Sequence, residues 1–168
     1  QALLNNTGGF DNTAVGTFAM QTNITGAGNT AMGERALYGN QNGNENTAVG
    51  KQAMFTNTQG ANNVSAGYQS LFFNTTGNSN TALGYQSLPA NTTGSSNTAS
   101  GYHTLFTNST GYSNTANGAE ALYSNTTGNA NSAVGHYALN LNTTGIQNTA
   151  MGNYALRSNI SGSNNTSV

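Results

Sequence analysis

Cysteine is absent from this sequence, and charge very nearly so. Without cysteine no disulfide can staple the fold and no thiolate can hold a metal. Three Lys and Arg and four Asp and Glu leave charged residues at 4% of the chain, against about a quarter in an ordinary soluble domain. No basic patch exists to meet a nucleic-acid backbone, and no acidic tail to meet a cationic partner. A formal net charge of −1 supplies little repulsion between copies, and near-neutral surfaces favour association. No apolar run approaches the length of a membrane-spanning helix, so no membrane insertion is expected. Low charge with few large apolar side chains would ordinarily describe a disordered chain. The order of the residues argues otherwise.

Asn, Thr, Gly and Ser fill the space, and they recur with a period. Asn followed by Thr, Val or Ser stands at Asn12, Asn29, Asn46, Asn63, Asn80, Asn97, Asn114, Asn131, Asn148 and Asn165, always 17 residues apart and without one insertion. With that Asn as position 1, the unit reads roughly N-T-A-V-G-Y-Q-A-L-x-x-N-T-T-G-x-x. Position 5 is glycine from Gly16, Gly33, Gly50 and Gly84 to Gly152. Position 12 is asparagine from Asn6 through Asn91 to Asn159, and position 15 is glycine from Gly9 through Gly94 to Gly162. Position 9 is Leu or Met throughout, and positions 3 and 8 are small.

A unit of this length is too short for a pair of helices that could each bury a face, and its glycines and asparagines would interrupt them. A coil of two short strands, one around T-A-V and one around A-L-x, fits instead. Asn and Gly would turn the corners, because glycine adopts a positive φ at no steric cost and asparagine tolerates it. The fold expected is therefore all-β: residues 1–168 as one repeat domain, a β-solenoid or β-roll of about ten 17-residue coils. At about 4.8 Å per rung the rod would be on the order of 48 Å long. The corner residues are Asn12 and Gly16, Asn29 and Gly33, Asn80 and Gly84, Asn91 and Gly94, Asn148 and Gly152. Leu37, Leu71, Leu88, Leu105, Leu122, Leu139 and Leu156 are the expected core, with small residues beside them and Val, Met or Leu from position 4. Like residues stack on like, so ladders of asparagine are expected inside the corners. The units run on without a distinct cap, so end-to-end stacking of copies is the expectation.

Four further patterns stand out. The sequon N-x-[ST] occurs at position 12 in Asn23, Asn74, Asn91, Asn108, Asn125, Asn142 and Asn159, and outside that position at Asn5, Asn63, Asn164 and Asn165. It reads either as a row of glycan acceptors or as a corner whose Asn is structural. Asn6, Asn40 and Asn57 keep the asparagine where the sequon is broken, which favours the corner. Tyr68, Tyr85 and Tyr102 share one unit position, while Tyr38, Phe55 and Phe72, then Phe106 and Tyr123, share another. Such columns read as stabilising ladders, or as a platform for sugars or neighbouring chains. Glu34 and Lys51 fall on adjacent rungs at one position, which predicts an exposed ion pair of little energetic weight. Thr columns at positions 2, 13 and 14 raise an ice-binding surface, though Gln41, Asn42, Gln59, Gly8 and Ile160 interrupt it.

No catalytic constellation emerges. No carboxylate pair recurs that would serve as acid and base, and Ser and Thr have no His and Asp partners in register. His103 and His136 occupy different unit positions, and the glycines recur as corners rather than as a phosphate loop. No enzyme activity, cofactor or metal is expected.

NTAVG, NTALGYQSL and NTAMGNYAL resemble the N-T-A-x-G-x-x-A-L repeats of tail-fibre-like proteins. More distantly they are similar to the S-V-A-I-G repeats in the heads of YadA-like trimeric autotransporter adhesins. The resemblance runs over essentially the whole chain. It implies display outside the cell, a β-roll or β-solenoid, trimerisation, and a role in attachment or filament building. The unit here is longer than that of the adhesin heads and adds the NTTG corner. Together these readings make the chain an expected structural subunit of an extracellular fibre at the cell surface. Its expected partners are further copies of itself, end to end and side by side, and cell-surface glycans. An adhesive or receptor-binding segment is the alternative, and an ice-binding protein the third.

Overall fold

A computed structural model describes residues 1–168. The chain winds as a β-solenoid with one 17-residue unit per turn. Each rung gives one short strand: β1 (Thr13–Val15), β2 (Thr30–Met32), β3 (Thr47–Val49), β4 (Val64–Ala66), β5 (Thr81–Leu83), β6 (Thr98–Ser100), β7 (Thr115–Asn117), β8 (Ser132–Val134), β9 (Thr149–Met151) and β10 (Thr166–Ser167). They lie in one parallel ten-stranded sheet, in chain order. Register follows the repeat, with Thr81 over Thr98, Ala82 over Ala99 and Leu83 over Ser100. An insertion of one residue would turn every side chain of a strand to the other face, so the constancy of the unit is a structural requirement.

Successive side chains of a strand point to opposite faces. Position 3 points inward, and Ala31, Ala48, Ala82, Ala99, Ala116, Ala133 and Ala150 are fully buried. Positions 2 and 4 therefore point outward, which corrects the expectation that position 4 adds to the core. Val15 is 59% and Val49 40% exposed. The core is a narrow pile of three columns: the small residues of positions 3 and 8 and the Leu or Met of position 9. Leu37, Leu71, Leu88, Leu105, Leu122 and Leu139 are fully buried in it, and Leu156 packs against it partly buried. Where Ser or Thr replaces Ala, the hydroxyl finds a carbonyl: Ser87 donates to Ala99 O at 3.0 Å, Thr104 to Gly118 O at 3.1 Å.

The second expected strand, around A-L-x, does not form; this stretch is a run of turns. The cause is backbone hand. Positions 7 and 9 are left-handed in rung after rung, as in Arg35 (φ 56°) with Leu37 (φ 51°) and Gln86 (φ 46°) with Leu88 (φ 54°). That conformation costs a non-glycine residue about 1–2 kcal/mol, and both neighbouring rungs hold it in place. Arg35 N–H donates to Thr17 O on the preceding rung at 2.8 Å, while Leu37 N–H donates to Ala53 O on the following rung at 2.9 Å. The segment is thus bonded in both directions without being a strand, and its left-handed Leu still reaches the core.

The corners also differ from expectation in one respect. Gly33 at position 5 has φ +138°, and a Cβ there would lie 2.5 Å from Gly50 O, so both backbone and space demand glycine. Gly94 at position 15 is not left-handed. A Cβ on it would meet Gly111 O at 2.3 Å and Asn91 Oδ1 at 2.4 Å. This corner needs room rather than a positive φ. The corner asparagines of positions 1 and 12 are not left-handed either; position 17 is, as at Ser79 (φ 57°) and Ser96 (φ 60°).

Candidate functional site

The recurring contact between rungs is the most built feature of the molecule, and asparagine makes it. Asn91 Nδ2 donates to Asn74 Oδ1 on the preceding rung at 2.9 Å and to Gly94 O on its own rung at 2.9 Å. Asn80, at position 1, sends Nδ2 to Asn63 Oδ1 at 3.2 Å and to the same Gly94 O at 2.9 Å, and its backbone N–H also donates to Asn63 Oδ1 at 2.9 Å. Two ladders therefore converge on one glycine carbonyl per rung, and the missing Cβ of that glycine gives the Asn oxygen its space. Burial of an amide without partners is costly, yet every buried side-chain nitrogen and oxygen in the rod has one.

Of the predicted corner residues, Asn29, Asn80, Asn91 and Asn148 are fully buried in these ladders, with Asn12 at the first rung partly so. Gly16, Gly33, Gly84 and Gly152 are the left-handed corners, and Gly94 the crowded one. The sequon asparagines Asn23, Asn74, Asn91, Asn108, Asn125 and Asn142 are fully buried, and Asn159 is partly buried with its amide bonded to Asn142 and Gly162. A glycan on any buried one would replace an N–H that the ladder uses and would have no path out. The exposed sequon asparagines are Asn5 and Asn164.

The ladders have a direction. Every inter-rung amide bond of both columns donates from the higher-numbered rung to the lower, from Asn23 onto Asn6 to Asn159 onto Asn142, and from Asn29 onto Asn12 to Asn165 onto Asn148. One side of a rung thus offers amide donors and the other offers amide oxygens.

The aromatic columns stack as the repeat predicts. Ring centroids of Tyr38 and Phe55 are 5.0 Å apart, Phe55 and Phe72 5.1 Å, Tyr68 and Tyr85 5.3 Å, Tyr85 and Tyr102 5.6 Å, and Phe106 and Tyr123 5.0 Å. Between the two columns runs a third ladder that the sequence reading passed over. Gln69 Nε2 donates to Gln52 Oε1 at 3.0 Å and Gln86 Nε2 to Gln69 Oε1 at 2.9 Å, and His103 Nε2 lies 2.9 Å from Gln86 Oε1. The run of Gln at one unit position was its signal. His136 is elsewhere, against Tyr137 and Tyr154. Lys51 and Glu34 form the expected exposed pair at 2.9 Å. The Lys51 ammonium, first by its hydrogen bond and then by its charge, holds the Glu34 carboxyl below the usual glutamate value.

The outward face of the sheet carries Thr at position 2 in every rung except at Val64 and Ser132, beside the mostly apolar column of position 4. Neither column contains a charged residue. At position 13, by contrast, hydroxyls turn inward to the ladder: Thr75 donates to Thr92 O at 2.9 Å and Thr92 to Ser109 O at 3.0 Å.

No helix is long and apolar enough to cross a membrane. No family model, curated protein or solved structure matches the chain.

Proposed function

We propose that this chain is a structural subunit of an extracellular fibre, in which rods continue one another end to end. The observation that supports the reading is the one-way polarity of the asparagine ladders. Within these ladders an end of amide donors is complementary to an end of amide oxygens, so the contact that joins two rungs inside the chain also joins rungs of successive chains. Such a contact is heterologous and does not close on itself, which produces filaments rather than rings. Little charge opposes it. In this arrangement the amide donors at the leading end of one rod meet the amide oxygens at the trailing end of the rod before it.

The test is electron microscopy and sedimentation of the purified chain over a range of concentrations. Filaments that lengthen with concentration are expected. In the purified 168-residue chain, Asn6→Asp combined with Asn12→Asp places carboxylates where two first-rung donors stood. These two side chains are only partly buried and also serve Gly9 O and Gly26 O. The variant should therefore loosen its first rung, keep the circular dichroism of the remaining rungs and stay as single rods. A wild-type chain that stays monomeric at high concentration, or a variant that polymerises equally well, contradicts the proposal.

A second reading is supported by the outward sheet face. The Thr hydroxyls of position 2 have no protein partner in the hydrogen-bond network and sit in a regular, uncharged array at the rung spacing, which suits ordered water at an ice surface. Thermal hysteresis that is lost on Thr81→Lys and Thr98→Lys would support it, and its absence in the wild type would end it.

A further inference from the structure

We propose that the slot over Pro89 is a binding site for a single aromatic ring bearing a hydroxyl, that is, a phenol. Position 10 of the unit holds a ring in Tyr38, Phe55, Phe72, Phe106 and Tyr123, and the column is broken only at the rung between Phe72 and Phe106, where Pro89 stands. The gap is a cleft of about 420 Å³. Phe72 and Phe106 face each other across two rungs, about 10 Å at the usual strand spacing. That is the separation that Tyr38 and Phe72 keep with the ring of Phe55 between them, at 5.0 and 5.1 Å from its neighbours. One ring in the slot therefore restores the stack.

The walls are already held in place. Phe72 is stacked on Phe55 and meets Phe73 edge-on, with centroids 4.6 Å apart at 82°. Phe106 is stacked on Tyr123 at 2° between planes and flanked by His103 at 4.7 Å. Walls fixed before binding spare the cost of ordering them. Pro89 leaves the floor low without breaking the ladder, because its carbonyl still accepts Phe73 N–H at 2.9 Å. The rim carries Gln69 and Gln86. Each spends one Nε2–H and one oxygen lone pair within the glutamine ladder, which leaves one N–H and one lone pair free. A hydroxyl, donor and acceptor at once, matches that remainder. The rim has no charge, so the ligand is neutral.

The probe is p-cresol, with methyl β-glucoside and cyclohexanol as non-aromatic rings of similar size. Saturation-transfer and chemical-shift titration of the 168-residue chain should give a dissociation constant near about 1 mM for p-cresol, an ordinary affinity for so small a ligand, and at least tenfold weaker binding of the other two. Pro89→Phe inserts the ring that position 10 carries at Phe72 and Phe106, and should weaken p-cresol at least tenfold without lowering the melting temperature. If that variant folds poorly, Ala90→Phe, which places a ring where Phe73 has one on the rung below, should block the same slot. Equal binding of p-cresol to wild type and to a folded slot-filling variant overturns the proposal. So does preference for the glucoside, which would make the slot a sugar site, or no binding by any probe. None of these outcomes depends on whether the chain polymerises.

Discussion

Asn91 Nδ2 stands 2.9 Å from Asn74 Oδ1, and Asn108 Nδ2 stands 3.0 Å from Asn91 Oδ1, so a single buried amide ties three rungs together. Replacing Asn91 by Ala leaves the Asn74 oxygen without its donor and one of the two Asn108 amide N–H groups without an acceptor, the other still reaching Gly111 O, in a fully buried corner. The expected loss is about 2–4 kcal/mol in denaturant unfolding. Asn91→Asp should lose more, since it buries a charge opposite an amide oxygen. A loss within experimental error for Asn91→Ala would show that the ladder is not what holds the rungs.

The crowded and the open glycines make an internal comparison. Gly94→Ala places a Cβ against a backbone oxygen and Asn91 Oδ1, and should destabilise by at least about 2 kcal/mol. Gly8→Ala meets nothing nearer than Thr25 Cγ2 at 3.5 Å, and should leave the melting temperature unchanged. Equal effects at the two sites would contradict the geometry of the position-15 corner.

Because position 4 faces solvent, Asn117→Val should change stability by no more than about 0.5 kcal/mol. Thermal unfolding decides this directly. A large gain would mean that the column is core after all.

Secretion from a host that performs N-glycosylation gives another check. The folded, secreted chain should carry no sugar at Asn74, Asn91, Asn108, Asn125 or Asn142, where burial is complete, while the sequons at Asn5 and Asn164 remain open to modification. Peptide mass analysis that finds a glycan at Asn91 in folded rods would exclude the buried ladder.

The Glu34–Lys51 pair predicts a pH effect of known sign. A carboxyl whose folded pKa lies below its ordinary value of 4.5 stabilises fully above that value, and the contribution fades as pH falls through the folded pKa. The pair is exposed, so the effect on stability is small and screened by salt. The Glu34 carboxyl carbon, followed by NMR, should titrate higher in Lys51→Gln than in wild type. An unchanged midpoint would mean that the pair does not form in solution.

The sequence carried the solenoid plainly, because a 17-residue period without insertions permits only stacking in register, and Leu88 or Leu122 could then lie nowhere but inside. It hid whatever depends on the neighbouring rungs. No local preference puts Leu37 or Arg35 in a left-handed backbone; bonds to Ala53 and Thr17 do so. Gly94 and Gly33 look alike in sequence, yet one is required by crowding and the other by φ as well. Asn91 within NTTG suggests an acceptor for sugar or a turn, and its role as a rung-to-rung amide appears only once Asn74 lies beneath it. The notch at Pro89 was legible in principle, as the one non-aromatic member between Phe72 and Phe106, but only after the column was known to stack.

The central claim is that rungs of successive chains meet as rungs within a chain do, and cryo-electron microscopy of the assembled material tests it most directly. The account predicts a filament whose rung spacing of about 4.8 Å runs unbroken across the junction, with both asparagine ladders continuing through it from one chain to the next. Isolated rods, or filaments in which rods lie side by side with their rung faces open, would contradict it.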